Sequence, residues 1–278
     1  MHLFVASVVC VVLALSFPGI VSRLEDNFTY CSEFFFKGEP PLISGILEIS
    51  EPQNNNLKVI CQKYKDKNRY ATLYDTEMKI PLFSAYKYTG TNEFTKPEIP
   101  WMIEMQLEPS GAQMCAPFAK QARYKDYRVI DTVYRPSALF PMKHTDENET
   151  AESTFTLTNS VPQNTCFKEG IWTDVENAVM GNMDNYCLDN NNKTVAYVLT
   201  GAVPGDKNLS SVNIPSHMWT AFCCYNRATT SCVSQTYWTE NISNNSVANI
   251  TLRSLKELQI FLNETLGRKV ELFNNNCV

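Results

Sequence analysis

Few groups in this chain can do acid–base chemistry near neutral pH. Only three histidines occur in 278 residues, His2, His144 and His217, which leaves little from which to draw a general base. No Gly-x-Ser-x-Gly turn is present to raise a serine nucleophile, and Ser137, beside Pro136, has no evident base, so a Ser-His-Asp hydrolase is disfavoured. An excess of basic residues is also missing: 24 Lys and Arg face 29 Asp and Glu, for a net charge of −5 and a pI near 5.4. Dedicated nucleic-acid binders carry a basic surface, often with a domain pI above about 9, so a polynucleotide partner is disfavoured. No stretch approaches the roughly 18 consecutive apolar residues of a membrane span. No Gly/Ser-rich or Pro-rich linker and no repeat divides the chain, which fits one domain.

The apolar run from Leu3 to Leu15 and the small residues ending at Ser22 predict a secretory signal peptide over 1–22. A single domain is expected over 23–278. Of ten cysteines, Cys10 belongs to the leader. Cys31, Cys61, Cys115, Cys166, Cys187, Cys223, Cys224, Cys232 and Cys277 remain. Their spread lacks zinc-ligand spacing, and a secretory setting makes them disulfide candidates. Their odd number leaves at least one thiol over, and adjacent Cys223 and Cys224 are expected to bond to different partners. Glycosylation sequons begin at Asn27, Asn148, Asn192, Asn208, Asn241, Asn244, Asn249 and Asn263. Asn148 lies in the acidic loop Asp146-Glu147-Asn148-Glu149, where sugar and charge would both repel a polyanion. Two basic runs, Lys63-Lys65-Lys67-Arg69 and Lys120-Arg123-Lys125-Arg128, read as solvated faces, the second also as a possible groove flank.

Periodicity predicts strands over 43–49 and 57–63 about a turn at 53–56, and over 70–75 and 79–86 about Thr76-Glu77. Further strands are expected at 195–202, 219–225 and 232–238. Helices are expected over 116–124 and, from Leu252, Leu255, Leu258, Leu262 and Leu266, near the C-terminus with Thr251 as N-cap and Gly267 as stop. Between them, Phe155, Leu157 and Asn159 alternate as in a strand that Pro162 would end. Trp172, Val175, Val179 and Met183 then recur at helical spacing. An asparagine thus closes a strand and Glu176 stands one turn into the next helix. His217 is read as structural. His144 is read as an exposed loop histidine, with a role as a substitute base as the competing view.

Several segments carry a family resemblance. They are Lys79-Ile80-Pro81-Leu82-Phe83-Ser84-Ala85-Tyr86, Trp101-Met102-Ile103-Glu104, Asp126-Tyr127, Thr156-Leu157-Thr158-Asn159-Ser160-Val161-Pro162-Gln163, and Gly170-Ile171-Trp172 through Glu176. In order and spacing they resemble the DNA/RNA non-specific endonucleases, the ββα-metal nucleases, and within them an endonuclease-domain-containing 1-like branch. The resemblance implies an α+β fold of antiparallel sheets flanked by helices and bonded by disulfides. It also implies a catalytic Asp-Arg-Gly-His run followed by Leu-x-Pro. The matching positions here read Arg135-Pro136-Ser137-Ala138, then Leu139-Phe140-Pro141. The family's histidine corresponds to Ala138, its arginine to Pro136, and its metal-binding asparagine to Lys168. Only Asn159 and Glu176 match.

A positioned general base contributes about 10²–10⁴-fold in rate, and a methyl group has no lone pair. An ammonium group repels Mg²⁺ and accepts no hydrogen bond. The expectation is a secreted glycoprotein, a pseudoenzyme that needs no cofactor and acts by binding an unknown protein or anionic ligand. Two alternatives stand beside it. One is a Mg²⁺-dependent endonuclease with a rearranged base. The other is a nucleic-acid or phosphate binder without turnover, in which the Lys168 ammonium stands where the metal would.

Overall fold

The computed structural model describes residues 23–93, 98–109, 118–128, 133–243 and 251–277. Its main elements in chain order are β1 (Arg23–Glu25), β2 (Leu57–Tyr64), β3 (Lys67–Asp75), β4 (Ile80–Tyr88) and β5 (Tyr134–Ala138). Then come α1 (Asn148–Ser153), β6 (Ser160–Asn164), α2 (Thr173–Tyr186), β7 (Ala196–Val203), β8 (His217–Asn226), β9 (Ser231–Glu240) and α3 (Leu255–Leu266). Seven strands form one antiparallel sheet in the order β1-β2-β3-β4-β7-β8-β9. Strands β4 and β7 are neighbours in this sheet, yet the chain between them holds the β5/β6 ribbon, α1 and α2. That long insertion folds back onto one face.

Both faces of the sheet are therefore buried. Because side chains alternate along a strand, Trp219, Ala221 and Cys223 of β8 join one core and Met218, Phe222 and Cys224 the other. The first core is completed by Phe28, Phe34 and Phe35 near the N-terminus and by Leu255, Leu258 and Leu262 of α3. The second is closed by Phe140, Leu157, Val161, Phe167 and Trp172, with Val175, Val179 and Met183 of α2. Each such side chain contributes about 1.5–3 kcal/mol by leaving water, which ties the inserted module firmly to the sheet. Alternation also explains the cysteines. Cys223 bonds Cys277 on the first face and Cys224 bonds Cys187 on the second, while Cys31 bonds Cys61. Cys166 and Cys232 are free thiols, a correction to their candidacy as bridges, and Cys115 lies outside the described residues.

The α2 and α3 helices form where periodicity places them. Ser254, not Thr251, caps α3: its hydroxyl accepts from the Glu257 amide and the Glu257 carboxylate accepts from the Ser254 amide, a capping box. Gly267 ends the helix at φ +64°. Residues 43–49 are not one strand. Leu42–Ile43, Leu47–Glu48 and Glu51–Pro52 make a small meander with Val270–Glu271, and β2 pairs instead with β3 through a two-residue turn at Lys65-Asp66. The expected helix over 116–124 is also absent from its described part. Residues 118–123 are held in a bent, non-helical course because Glu108 accepts from the Ala119 and Lys120 amides, and Gln121 exchanges two hydrogen bonds with the Glu104 backbone. A single 3-10 turn, Tyr124–Tyr127, follows. Among the described residues no helix is long and apolar enough to cross a membrane.

Candidate functional site

The site module begins with the β5/β6 ribbon. Pro162 does not end a strand as expected. It lies inside β6 directly opposite Pro136 of β5. Neither ring can donate a hydrogen bond, so the two share a non-bonded position of the ladder, where none is needed. Leu157–Asn159, expected to be extended, form a 3-10 turn. The register puts Ala138 across from Ser160 at the end of the ribbon, after which Leu139-Phe140-Pro141 lead to a 3-10 turn, Met142–His144. After β6 the chain passes through a short helical turn at Thr165–Phe167 and a π turn, Lys168–Trp172, into α2.

Asn159 is fully buried, and every polar atom of its amide is used. Its Oδ1 accepts from the Ser84 hydroxyl at 2.8 Å and the Phe140 amide at 3.1 Å. Its Nδ2 donates to the Phe140 and Thr154 carbonyls at 3.2 and 3.0 Å. It pins the segment that leaves Ala138 to β4 of the sheet and has no atom to spare for a ligand.

Glu176 and Lys168 do meet. Glu176 is buried in the first turn of α2, and its Oε1 is ion-paired to the Lys168 ammonium. The other oxygen, Oε2, is 3.0 Å from Lys143 Nζ. Burial pushes this carboxyl up, but the charges of Lys168 and Lys143 outweigh it and hold it below the ordinary glutamate range. Lys143 also donates to the Asn177 side chain and the Thr173 carbonyl. Both ammonium side chains keep a solvent face, at 28 and 30% exposure. Lys143 carried no sequence signal: it enters only because the 3-10 turn after Pro141 swings it over α2.

The neighbouring His144 corrects the expectation of an exposed loop residue. It is 2% exposed. Its Nε2 faces the Glu176 carbonyl at 3.0 Å, and a carbonyl can only accept, so Nε2 carries the proton. Its Nδ1 therefore accepts from the Tyr86 hydroxyl at 2.8 Å. Burial drives its pKa down to about 4. The single lone pair of this neutral ring is occupied and shut off from water, so His144 does not replace the missing base in this arrangement. His217 is half-buried on β8, edge-on to Phe261.

Arg135 is exposed and donates to the Tyr134 carbonyl, while Ser137 is buried and Ala138 half-buried. The donor set does not suit Mg²⁺, which takes oxygen ligands. Lys168 brings an ammonium to the position that should ligate, and ammonium groups already hold both Glu176 oxygens. Among the described residues no three His, Cys, Asp or Glu converge.

The basic runs are largely solvent-exposed, as expected, but the first is also ion-paired. Lys65 pairs with Glu149 and Glu152, and Lys67 and Arg69 with Glu147. The first run thus docks the acidic start of α1, and the acidic loop is committed to the protein itself. In the second run Arg123 pairs with Asp126. Asn241 must be corrected as a glycan site: it is 2% exposed, and its Nδ2 donates to the Pro162 and Pro215 carbonyls. Asn148, Asn192 and Asn208 are exposed, Asn27 and Asn263 half-buried, and Asn244 and Asn249 lie outside the described residues.

Comparison with known proteins places this geometry. Residues 52–272 match the model of the DNA/RNA non-specific endonuclease family. The chain is 28% identical over 219 residues to the human Endonuclease domain-containing 1 protein, covering 74% of this chain and 41% of the relative. Against the mouse protein of that name it is 28% identical over 267 residues, covering 91% and 48%. It thus spans under half the length of these curated relatives. A chain from the crystal structure of an EndoG/EndoGI complex superposes with a TM-score of 0.56 at 15% identity, covering 74% of this chain and 84% of that one, a likeness of fold. With a family model matching most of its length and the antiparallel architecture in place, the chain belongs to the DNA/RNA non-specific endonuclease family.

Proposed function

We propose that this protein is a secreted, glycosylated pseudonuclease that keeps the family scaffold for binding and does not hydrolyse phosphodiesters. One observation carries the reading: the Glu176 carboxylate, which the resemblance assigns to the catalytic set, is closed into an ion-paired cluster by Lys168 and Lys143. An ammonium at a ligand position opposes a divalent cation through both its charge and its lack of lone pairs. With Ala138 at the base position and His144 locked to Tyr86 and Glu176, no described group of the cluster is placed to take a proton from water. Three buried disulfides support an extracellular setting. Glycans are proposed at Asn27, Asn148, Asn192, Asn208, Asn244, Asn249 and Asn263.

A second reading has support from the same cluster. Two ammonium groups against one carboxylate, beside a neutral imidazole, leave one surplus positive charge with partial solvent access. That suits a phosphate or carboxylate group held without turnover. Saturable binding of a phosphate monoester, lost in Lys168→Ala, supports it, and absence of binding in both proteins removes it.

The primary test is cleavage of plasmid and RNA by the purified protein with Mg²⁺ and with chelator, beside the double variant Ala138→His/Lys168→Asn. The expected result is a silent native protein and a variant that regains metal-dependent cutting. Chelator-sensitive cleavage by the native protein refutes the pseudonuclease reading and favours a Mg²⁺-dependent endonuclease.

A further inference from the structure

A cavity of about 390 Å³ opens on the face of the main sheet opposite the Glu176 cluster. Its size falls in the range of about 300–1,000 Å³ typical of small-molecule sites. Phe83 and Trp219 from the sheet form its floor, and Leu262 and Leu266 of α3 and Val270 beyond it form its wall. Trp219 is fixed in place because its indole lies against Gly201, where a Cβ would come within 2.2 Å of it. The apolar surface is thus rigid and enclosed on the sheet side.

Charge is sparse around it. Asp75 turns its Oδ1 to the amides of Glu77 and Met78 in its own turn, and Asn54 turns its Oδ1 to the amide of Asn56. Arg268 is different. Among the described residues its exposed guanidinium donates to two neutral carbonyls, of Leu266 and Ser44, at 3.3 Å each. No carboxylate among the described residues is within ion-pairing distance of it. Gly45, at φ +70°, gives it room, since a Cβ there would sit 3.3 Å from Nη1. An arginine has five N–H donors in a fork that matches a carboxylate, and most of these remain unspent.

We infer that this cavity binds a single-chain amphiphile with a carboxylate head, its acyl chain between Trp219 and α3 and its head on Arg268. The assignment is independent of the state of the nuclease site. It is tested by calorimetric titration of the intact protein with dodecanoate and with dodecanol, both below their aggregation limits, and with phosphatidylcholine vesicles with and without phosphatidylserine. The native protein is expected to bind dodecanoate saturably, about tenfold more tightly than the alcohol, as a charge-assisted hydrogen bond implies. Arg268→Gln, at an exposed position, is expected to erase that preference, and Leu266→Trp, which fills the cavity, to weaken both ligands. The inference is overturned if neither ligand titrates, if the acid shows no preference over the alcohol, or if Arg268→Gln leaves that preference unchanged. Capture by phosphatidylserine vesicles without dodecanoate binding also overturns it.

Discussion

Acidification from about pH 7.5 to about pH 5.5 is expected to weaken this fold measurably through one imidazole. His144 is buried as the neutral tautomer, with Nε2 donating to the Glu176 carbonyl and Nδ1 accepting from Tyr86. Burial lowers its pKa from 6.5 to about 4. The unfolded chain therefore binds a proton more readily than the folded one, and stability is lost as pH falls from the unfolded toward the folded value. Linkage gives a loss on the order of 1 kcal/mol over that interval and roughly 2–3 kcal/mol by about pH 4.5. The assay is urea unfolding at fixed ionic strength, comparing the native protein with His144→Gln. Glutamine can still donate to one partner and accept from the other, but it does not titrate. Half-buried His217 is also lowered, by burial, and adds the same acid sensitivity to both proteins, so their difference isolates His144. An equal pH dependence in the two proteins would refute the assignment of that loss to the buried ring.

Glu176→Gln leaves two partly buried ammonium groups without their counter-charge and is expected to destabilise by roughly 3 kcal/mol in urea unfolding. Adding Lys168→Met to it should recover part of that loss, and strict additivity of the two changes would show that they do not interact. Glu176 also has a depressed pKa, so its contribution is present above about pH 4.5 and is lost as pH falls below it. Cys223→Ser opens the bridge to Cys277, which spans 54 residues, and should cost about 4 kcal/mol on the loop-entropy model; an unchanged midpoint would argue that the bridge does not form. Glycopeptide mapping of the protein expressed through a secretory pathway should find Asn148, Asn192 and Asn208 modified and Asn241 bare. Asn241→Ala should cost about 2 kcal/mol by stranding the carbonyls it serves.

Much of the scaffold was legible because local patterns and tertiary needs agree. Near-continuous apolar runs in β7 and β8 mark strands buried on both faces, and the 3.6-residue stripes of α2 and α3 mark helices that cover them. The doublet Cys223-Cys224 even encodes the layering, since adjacent side chains on a strand must seek partners on opposite faces. The failures share a cause. Residues 118–123 carry helical composition, but Glu108 and the Glu104–Gln121 pair supply their backbone with long-range hydrogen bonds that no local pattern announces. Pro162 reads as a strand stop unless Pro136 is known to face it. The Lys65-Asp66 turn takes positive φ at both residues without the glycine or asparagine that would signal it.

The site shows the same division more sharply. Lys168 and Glu176 stand eight residues apart, and the resemblance alone says that a ligand has become a lysine. It does not say what the lysine does. The fold answers by bringing a second lysine, Lys143, to the other carboxylate oxygen and by burying His144 beneath it. Charge and geometry then act together. A carboxylate that in a metal site would face a dication here faces two monocations, and the electrostatic need is met from within the chain. Such a cluster would not be converted by one substitution: asparagine at 168 alone leaves alanine at 138, and histidine at 138 alone leaves the Lys168 ammonium on Glu176.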